Sequence, residues 1–277
     1  MIEFTKKIIA LLTDFGPKGQ HYVASMKGVI LNINPNVSII DITHNISSYS
    51  IIEASYIIKT SYKYFPENTV FVVVVDPGVG SSREILAIKI KSNHYFIGPN
   101  NGIFPNIFSN DDISEIIEVK NDFYFNKPVS KTFHGRDIMA PVGTYILNGI
   151  PLNDFGSRFD PKNLVKKPIL YEILIKEKII MCIIQYIDSF GNGTTNIPIK
   201  NNKIKGTDFV LEEGKKLKLK NKNKEYEGEF VSHFASVTKN SLIFIIGSNN
   251  YLEISINQGN ASKEIGFKVG DIIEIVL

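Results

Sequence analysis

A chain of 277 residues, 43% hydrophobic and 21% charged, has the apolar content to bury one large or two medium cores, which excludes a disordered or fibrous polypeptide. Its 31 Lys and Arg against 28 Asp and Glu leave a net charge of only +3, without the concentrated basic face that nucleic acid demands. The single cysteine, Cys182, has no partner for an internal disulfide and lies within KIIMCIIQY, so a buried, inert thiol and a reducing, cytoplasmic compartment are expected.

Lys6 and Lys7 precede IIALL, a faint imitation of a secretory leader. The apolar stretch breaks at Thr13 and Asp14, shorter than a leader's core, and no other segment approaches the roughly 18 apolar residues of a membrane span. IIALLT (8–13) reads as a first strand. HYVASMKGVILNIN (21–34) places Val23, Met26, Ile30 and Ile33 at helical spacing before Pro35, and VSIIDIT (37–43) is the next strand. A second helix over 50–65 ends at Pro66 and hands over to TVFVVVVD (69–76), whose unbroken apolar run suits a central strand covered on both faces. HYFIGPNNG (94–102) predicts another strand, and RDIMAPVGTYILNG (136–149) a helix closed by Gly149. After the polar stretch GSRFDPKNLVKKP (156–168) only alternating β-type segments follow. The fold class is therefore an α/β N-terminal domain with a mostly parallel central sheet (1–156), a linker (157–170), and an all-β barrel or sandwich domain (171–277). The lysine-rich run 215–229 is read as the solvated face of a hairpin.

In open α/β sheets ligands sit beyond the carboxyl ends of the strands. Asp14, Asp41 to His44, Asp76 and Asn100–Asn101 all fall there, although an Asp at a strand end can also simply accept turn hydrogen bonds. DPGVGSSR (76–83) fails as a phosphate loop, because no lysine follows the glycines, and as a dinucleotide fingerprint, because Arg83 stands where the third glycine belongs. What remains is an acid and a guanidinium held together by a tight loop. In KTFHGRDIMAP (131–141), His134 precedes a predicted helix, whose N-terminus disfavours the imidazolium. His134 is thus either a neutral proton acceptor or a helix cap, with Asp137 completing the first turn. QYIDSFGNGTTNI (185–197) offers either an Asn-Gly hairpin turn or stacking and edge recognition of a planar heterocycle. No HxH, HExxH or CxxC spacing exists, and no metal is expected.

Taken together, LLTDFG (11–16), DITH (41–44), VVVVDPGVGSSR (72–83), FHGRDIMAP (133–141), DSFGNGTTNI (188–197) and GSNNYLEISINQGNAS (247–262) resemble, in order, the S-adenosyl-L-methionine hydroxide adenosyltransferases, or SAM hydrolases, which share a fold with fluorinases and chlorinases. The resemblance implies an α/β domain, a C-terminal β-barrel, and a homotrimer with active sites between the N-terminal domain of one subunit and the C-terminal domain of its neighbour. It implies that Asp76, Arg83 and His134 position and activate a water that attacks C5′ of SAM, releasing adenosine and L-methionine, with no metal or organic cofactor. Which of the three takes the proton stays open. It further implies that Asp14 binds the ribose hydroxyls, that Asp188, Phe190 and Asn192 bind adenine, and that Ser248, Glu253 and Asn257 lie along the methionine end. The family commonly has PDNG where this chain has PNNG, so Asn100 replaces an acid, which implies weaker binding or altered specificity. A SAM-dependent halogenase and a non-catalytic SAM or nucleoside binder are the alternatives. Halogenase relatives lack the acid of DPGVG and carry an inserted loop after it, whereas only 16 residues separate Arg83 from Asn100.

Overall fold

The computed structural model describes residues 7–76 and 78–277; the leader-like start through Lys6, the first residues of the expected N-terminal domain and the proline of DPGVG, Pro77, lie outside the described residues. The chain divides into two compact units between Lys167 and Pro168.

In the first unit, strands β1 (Ile8–Thr13), β2 (Ser38–Thr43), β3 (Val70–Val74), β4 (Ile85–Ile90), β5 (Tyr95–Pro99), β6 (Ile113–Val119) and β7 (Gly156–Arg158) form one sheet in the order β2-β1-β3-β5-β4-β6-β7. The four strands from β2 to β5 pair in parallel, and β4, β6 and β7 extend the sheet antiparallel. Alternate residues of β1 and β3 point to opposite faces. Ile9, Leu11, Val70 and Val72 pack under helices α1 (Gln20–Ile33) and α3 (Ala140–Leu147), while Ala10, Leu12, Phe71 and Val73 pack under α2 (Ile51–Ser61). Burial on both faces is why the TVFVVVVD run carries no polar alternation. The strand expected over 94–102 is β5, parallel to β3, whereas β4 and β6 escaped the sequence reading because they lie antiparallel beyond the βα units, where no helical period marks a crossover. The stretch expected as a linker begins as β7, paired to β6, and continues into a turn at Pro161–Asn163 capped by Asp160.

The helix expected over 136–149 starts differently. Gly135–Met139 forms a π-helical turn in which the Ala140 N–H donates to the Gly135 carbonyl, and the α-helix follows. Pro141 has no N–H to give the Asp137 carbonyl, which accepts instead from the backbone N–H of Asn126 at 2.9 Å.

The second unit is a closed barrel. Strands β8 (Glu172–Leu174), β9 (Ile179–Ile187), β10 (Gly193–Lys200), β11 (Lys203–Ile204), β12 (Lys216–Asn221), β13 (Lys224–Phe230), β14 (Leu242–Ile246), β15 (Tyr251–Ile256) and β16 (Ile272–Val276) run β11-β10-β15-β14-β13-β12-β16-β9-β8, and pairing of β9 with β10 closes the middle seven. Cys182, Leu217, Phe244, Ile254 and Phe267 fill the interior. On the β12–β13 hairpin Leu217 and Leu219 point inward, and Lys216, Lys218 and Lys220 stand opposite Glu229, Glu227 and Glu225. The lysine run is thus a solvated charge ladder. The all-β reading missed one short helix, α4 (Ala261–Ile265), capped by Asn260 and stopped by Gly266; five residues are too few for a 3.6 period to register.

Burial pushes the Cys182 thiol far above its ordinary range. Aromatic disulfide reagents should therefore leave Cys182 unlabelled in native protein and titrate one thiol after unfolding in guanidinium, read by absorbance.

Candidate active site

The parallel strands direct their carboxyl ends to one edge of the sheet. The connection leaving β1 goes to one side and β3 returns on the other, so the gap between β1 and β3 is the topological switch point where α/β sheets hold ligands. Asp14 follows β1 there, and Asp76 follows β3. The Asp14 N–H donates to the Val74 carbonyl at 3.4 Å, fixing the two strand ends to each other.

Asp76 is nearly buried. Its Oδ1 accepts from the Gly78 N–H at 2.9 Å and pairs with Arg83 Nη1. Any side chain at Gly78 would put a Cβ within 2.7 Å of the Arg83 guanidinium, so the absence of bulk there is what lets the guanidinium fold back onto the acid. The loop is closed by Ser81, whose hydroxyl donates to the Gly78 carbonyl at 2.7 Å. The Gly78 and Arg83 bonds to Asp76 both go to Oδ1, and no described residue donates to Oδ2.

His134 lies on the segment leading into the π-helical turn. Its side chain makes no capping bond, and no described residue bonds it, so the imidazole is available to a ligand. Two close approaches bring its segment to the Asp76 loop. Gly80, at φ +80°, presses on the Lys131 carbonyl, and a Cβ at Gly135 would come within 2.9 Å of Val74. Asp137, fully buried, ties this segment down. Its carboxylate accepts from Arg136 at 2.7 and 2.9 Å, from Asn126 Nδ2 at 2.9 Å and from the Ser130 N–H at 2.8 Å. Although burial acts the other way, these bonds hold its carboxyl below the usual carboxylate range. Asp137 therefore anchors a loop rather than completing the helical turn. Arg136 lies over the Phe133 ring, and Phe133 packs edge-on against Phe15 and Tyr22, joining this segment to the loop after β1.

Asp14 Oδ2 accepts from the Tyr49 N–H at 2.9 Å. Burial raises its pKa, the Tyr49 and Asp14 N–H groups oppose that, and the charge of Asp76 adds to it. Asp14 and Asp76 are thus two carboxylates within electrostatic reach, and Arg83 pairs with Asp76. Tyr49 was invisible to sequence reasoning because it acts through its backbone, in a left-handed conformation at φ +66°. Behind Asp14, Thr13 Oγ1 and the buried His44 Nδ1 are 3.0 Å apart, and Lys27 and Asp41 form an ion pair of 2.6 Å beyond His44.

Asn100 is buried, its Nδ2 donating to Glu84 Oε2 at 3.2 Å and its Oδ1 accepting from the Val165 N–H at 2.9 Å.

Within the barrel, Asp188 organises the β9–β10 turn. Its Oδ1 accepts from the N–H groups of Phe190 and Asn192, and its Oδ2 from Asn192 Nδ2, all at 2.9 Å. The Phe190 ring is left 73% exposed, an aromatic face suited to stacking on a flat ligand. Glu253 lies opposite Thr194, whose hydroxyl donates to it at 3.3 Å; burial raises its pKa, the Thr194 bond opposes this and the Asp188 charge adds to it. Ser248 sits in the β14–β15 turn. Asn257 is occupied, its Nδ2 donating to the Val237 and Thr238 carbonyls at 2.9 and 3.3 Å. Among the described residues no three His, Cys, Asp or Glu side chains converge to hold a metal, and no helix is long and apolar enough to cross a membrane.

Sequence models of the SAM hydroxide adenosyltransferase N-terminal and C-terminal domains match residues 9–156 and 182–274. The (R)-S-adenosyl-L-methionine hydrolase of Methanocaldococcus jannaschii is 37% identical over 276 residues, 97% of this chain and 95% of its own. A fluorinase of an Actinoplanes strain is 27% identical over 213 residues, 69% of this chain and 71% of its own. Among solved structures, an uncharacterized conserved protein from Thermotoga maritima matches with a TM-score of 0.86 at 35% identity, covering 97% of this chain and 100% of that one.

Replacing Asp137 by Ala would leave Arg136 unpaired and the 126–130 loop unanchored, lowering stability by about 3 kcal/mol, the low end for a pair with one partner reaching solvent. A lower urea midpoint with unchanged slope checks it. Because the folded-state pKa of Asp137 is depressed, the gap between wild type and variant is full above the unfolded carboxylate range and closes as pH falls through the folded value.

Proposed function

The chain belongs to the SAM hydroxide adenosyltransferase family, and from that premise we propose that it hydrolyses S-adenosyl-L-methionine, releasing adenosine and L-methionine. The observation that carries this reading is the Asp76–Arg83 ion pair at the β1/β3 switch point, with the unbonded His134 on the segment packed against it. Water forms the new bond to C5′ as the C–S bond breaks, and both electrons of that bond leave with sulfur. A sulfonium departs as a neutral thioether, so no acid need protonate the leaving group. Help is needed only at the nucleophile, where Asp76 Oδ2 and His134 are the free acceptors that orient the water and receive its proton. Asp14 takes the ribose hydroxyls, a task for which a two-oxygen acceptor is suited. Phe190 and Asn192 take adenine, and Ser248 and Glu253 the methionine end. We assign the working form as a cytoplasmic homotrimer, each site completed by the barrel of a neighbouring subunit, with no cofactor.

Halogenation is the rival reaction. The 16 residues between Arg83 and Asn100 are consumed by the β4–β5 hairpin, with no surplus for an added loop, and a halide would meet the Asp76 carboxylate.

Purified protein incubated with each sulfonium epimer of SAM, with and without chloride, should yield adenosine and no chlorinated nucleoside by chromatography. Asp76→Ala and His134→Ala should each slow adenosine release at least about a hundredfold while calorimetry still detects SAM binding. Asp14→Ala should act mainly on KM. Undiminished turnover in both Asp76→Ala and His134→Ala would remove the triad from the mechanism, and a stable SAM complex without adenosine would make the protein a binder.

A further inference from the structure

The Asp76–Arg83 loop leaves the sheet between two residues, Val75 and Glu84, and both are held by one neighbouring dipeptide. Backbone pairing of β3 with β5 runs Val70↔Tyr95, Phe71↔Phe96 and Val72↔Ile97, and then stops. In the register set by the Tyr95 N–H donating to the Thr69 carbonyl, the next donors would be Pro99, which has no N–H, to Val73 and then Asn101 to Val75, but the Asn101 N–H turns to the Pro99 carbonyl at 2.9 Å. The Val75 carbonyl, one residue before Asp76, accepts from the Asn101 side chain, Nδ2, at 2.6 Å. Asn101 is 3% exposed, and its Oδ1 accepts from the Ile103 N–H at 3.3 Å, so the amide orientation is fixed at both ends. Its neighbour Asn100 donates its backbone N–H to the Glu84 carbonyl at 2.9 Å and its Nδ2 to Glu84 Oε2 at 3.2 Å, one residue after Arg83.

We propose that Asn100 and Asn101 form a clasp that sets the separation and orientation of Asp76 and Arg83, with Asn101 the positioning residue for the Asp76 carboxylate. The two asparagines continue the hold on the loop where backbone pairing of β3 with β5 ends, and they pin its two ends at Val75 and Glu84. The clasp also gives Asn100 a reason to be an amide. Glu84 accepts from it, and a carboxylate at position 100 would face the Glu84 carboxylate across the same 3.2 Å. The absence of the commoner acid therefore reflects what Glu84 needs from its neighbour rather than a contact with substrate. Neither asparagine touches the reacting atoms; both act through the loop. The catalytic part of this inference rests on the hydrolase reading, and its geometric part does not.

Two measurements test it together. Amide hydrogen exchange of the native protein should show the Gly78 N–H, which is bonded to Asp76, exchanging at least about tenfold faster in Asn101→Ala and in the isosteric Asn101→Asp, with barrel amides unchanged. In parallel, kcat for adenosine release should fall at least about tenfold in both variants with KM for SAM little changed. In the Asp76→Ala background the same substitutions should cost no further activity, since a residue acting only through Asp76 is silent once Asp76 is gone. Unchanged Gly78 exchange in the well-folded isosteric variant would overturn the clasp. So would a full additional loss of kcat in the Asp76→Ala background, because Asn101 would then act by another route. A wild type that exchanges as expected but releases no adenosine would overturn the hydrolase reading and leave the clasp standing.

Discussion

The structure depends on one ion pair placed where a strand has no exposed face. Val70 to Val75 are buried on both sides of the sheet, so the backbone that delivers Asp76 is packed from both faces up to the residue before the acid. Arg83 returns over Gly78 to meet it. An ion pair at half-buried depth is weakly stabilising at best, because desolvation offsets most of the Coulomb gain. Its value lies in geometry: it leaves Asp76 one oxygen satisfied and one oxygen free, in an orientation that the surrounding hydrogen bonds fix.

Several loops converge to support that arrangement. The segment carrying His134 reaches it through two backbone approaches that tolerate no side chain, at Gly80 and Gly135, and is anchored from behind by Asp137. The π-helical turn belongs to the same design. Pro141 deprives the Asp137 carbonyl of its helical partner, the Asn126 N–H takes its place, and the loop over 126–130 is thereby stitched to the residue whose side chain also holds it. Backbone irregularity here is local and has identifiable donors and acceptors.

Much of this was legible in the chain. The first strand, both early helices and the doubly buried third strand follow directly from periodicity and proline stops, because each obeys a single local rule. The antiparallel part of the sheet beyond β5 did not, since β4 and β6 are short runs with no following helix to mark them as parts of a βα unit. The acid, the arginine and the histidine were found as residue types in a motif, whereas the groups that orient them were not. Tyr49 contributes a backbone N–H, and Asn100 and Asn101 contribute amides that in a sequence look like turn residues. Asp137 looked like a helix-turn acid and is a loop anchor, and Asn257, placed by resemblance near the methionine end, spends its amide on two carbonyls of its own unit. Supporting hydrogen bonds are invisible to a reading that asks only which side chains carry chemistry.

The charge balance of the α/β site fits the proposed substrate class. Asp14 and Asp76 bring two negative charges and Arg83 one positive, so the edge between β1 and β3 carries a net negative charge when both acids are ionised. At about 4 Å and an effective dielectric of 20, one charge acts on another with roughly 4 kcal/mol. A sulfonium ion is drawn to such a site, and the same field repels a halide. Burial is the main cause of the raised pKa of Asp14, and the Asp76 charge adds a smaller push in the same direction, a repulsion that an arriving cation relieves. Substrate charge thus completes an electrostatic arrangement that the protein leaves unbalanced by one unit, and the attraction fades as the thioether leaves neutral, which favours release of the products over retention.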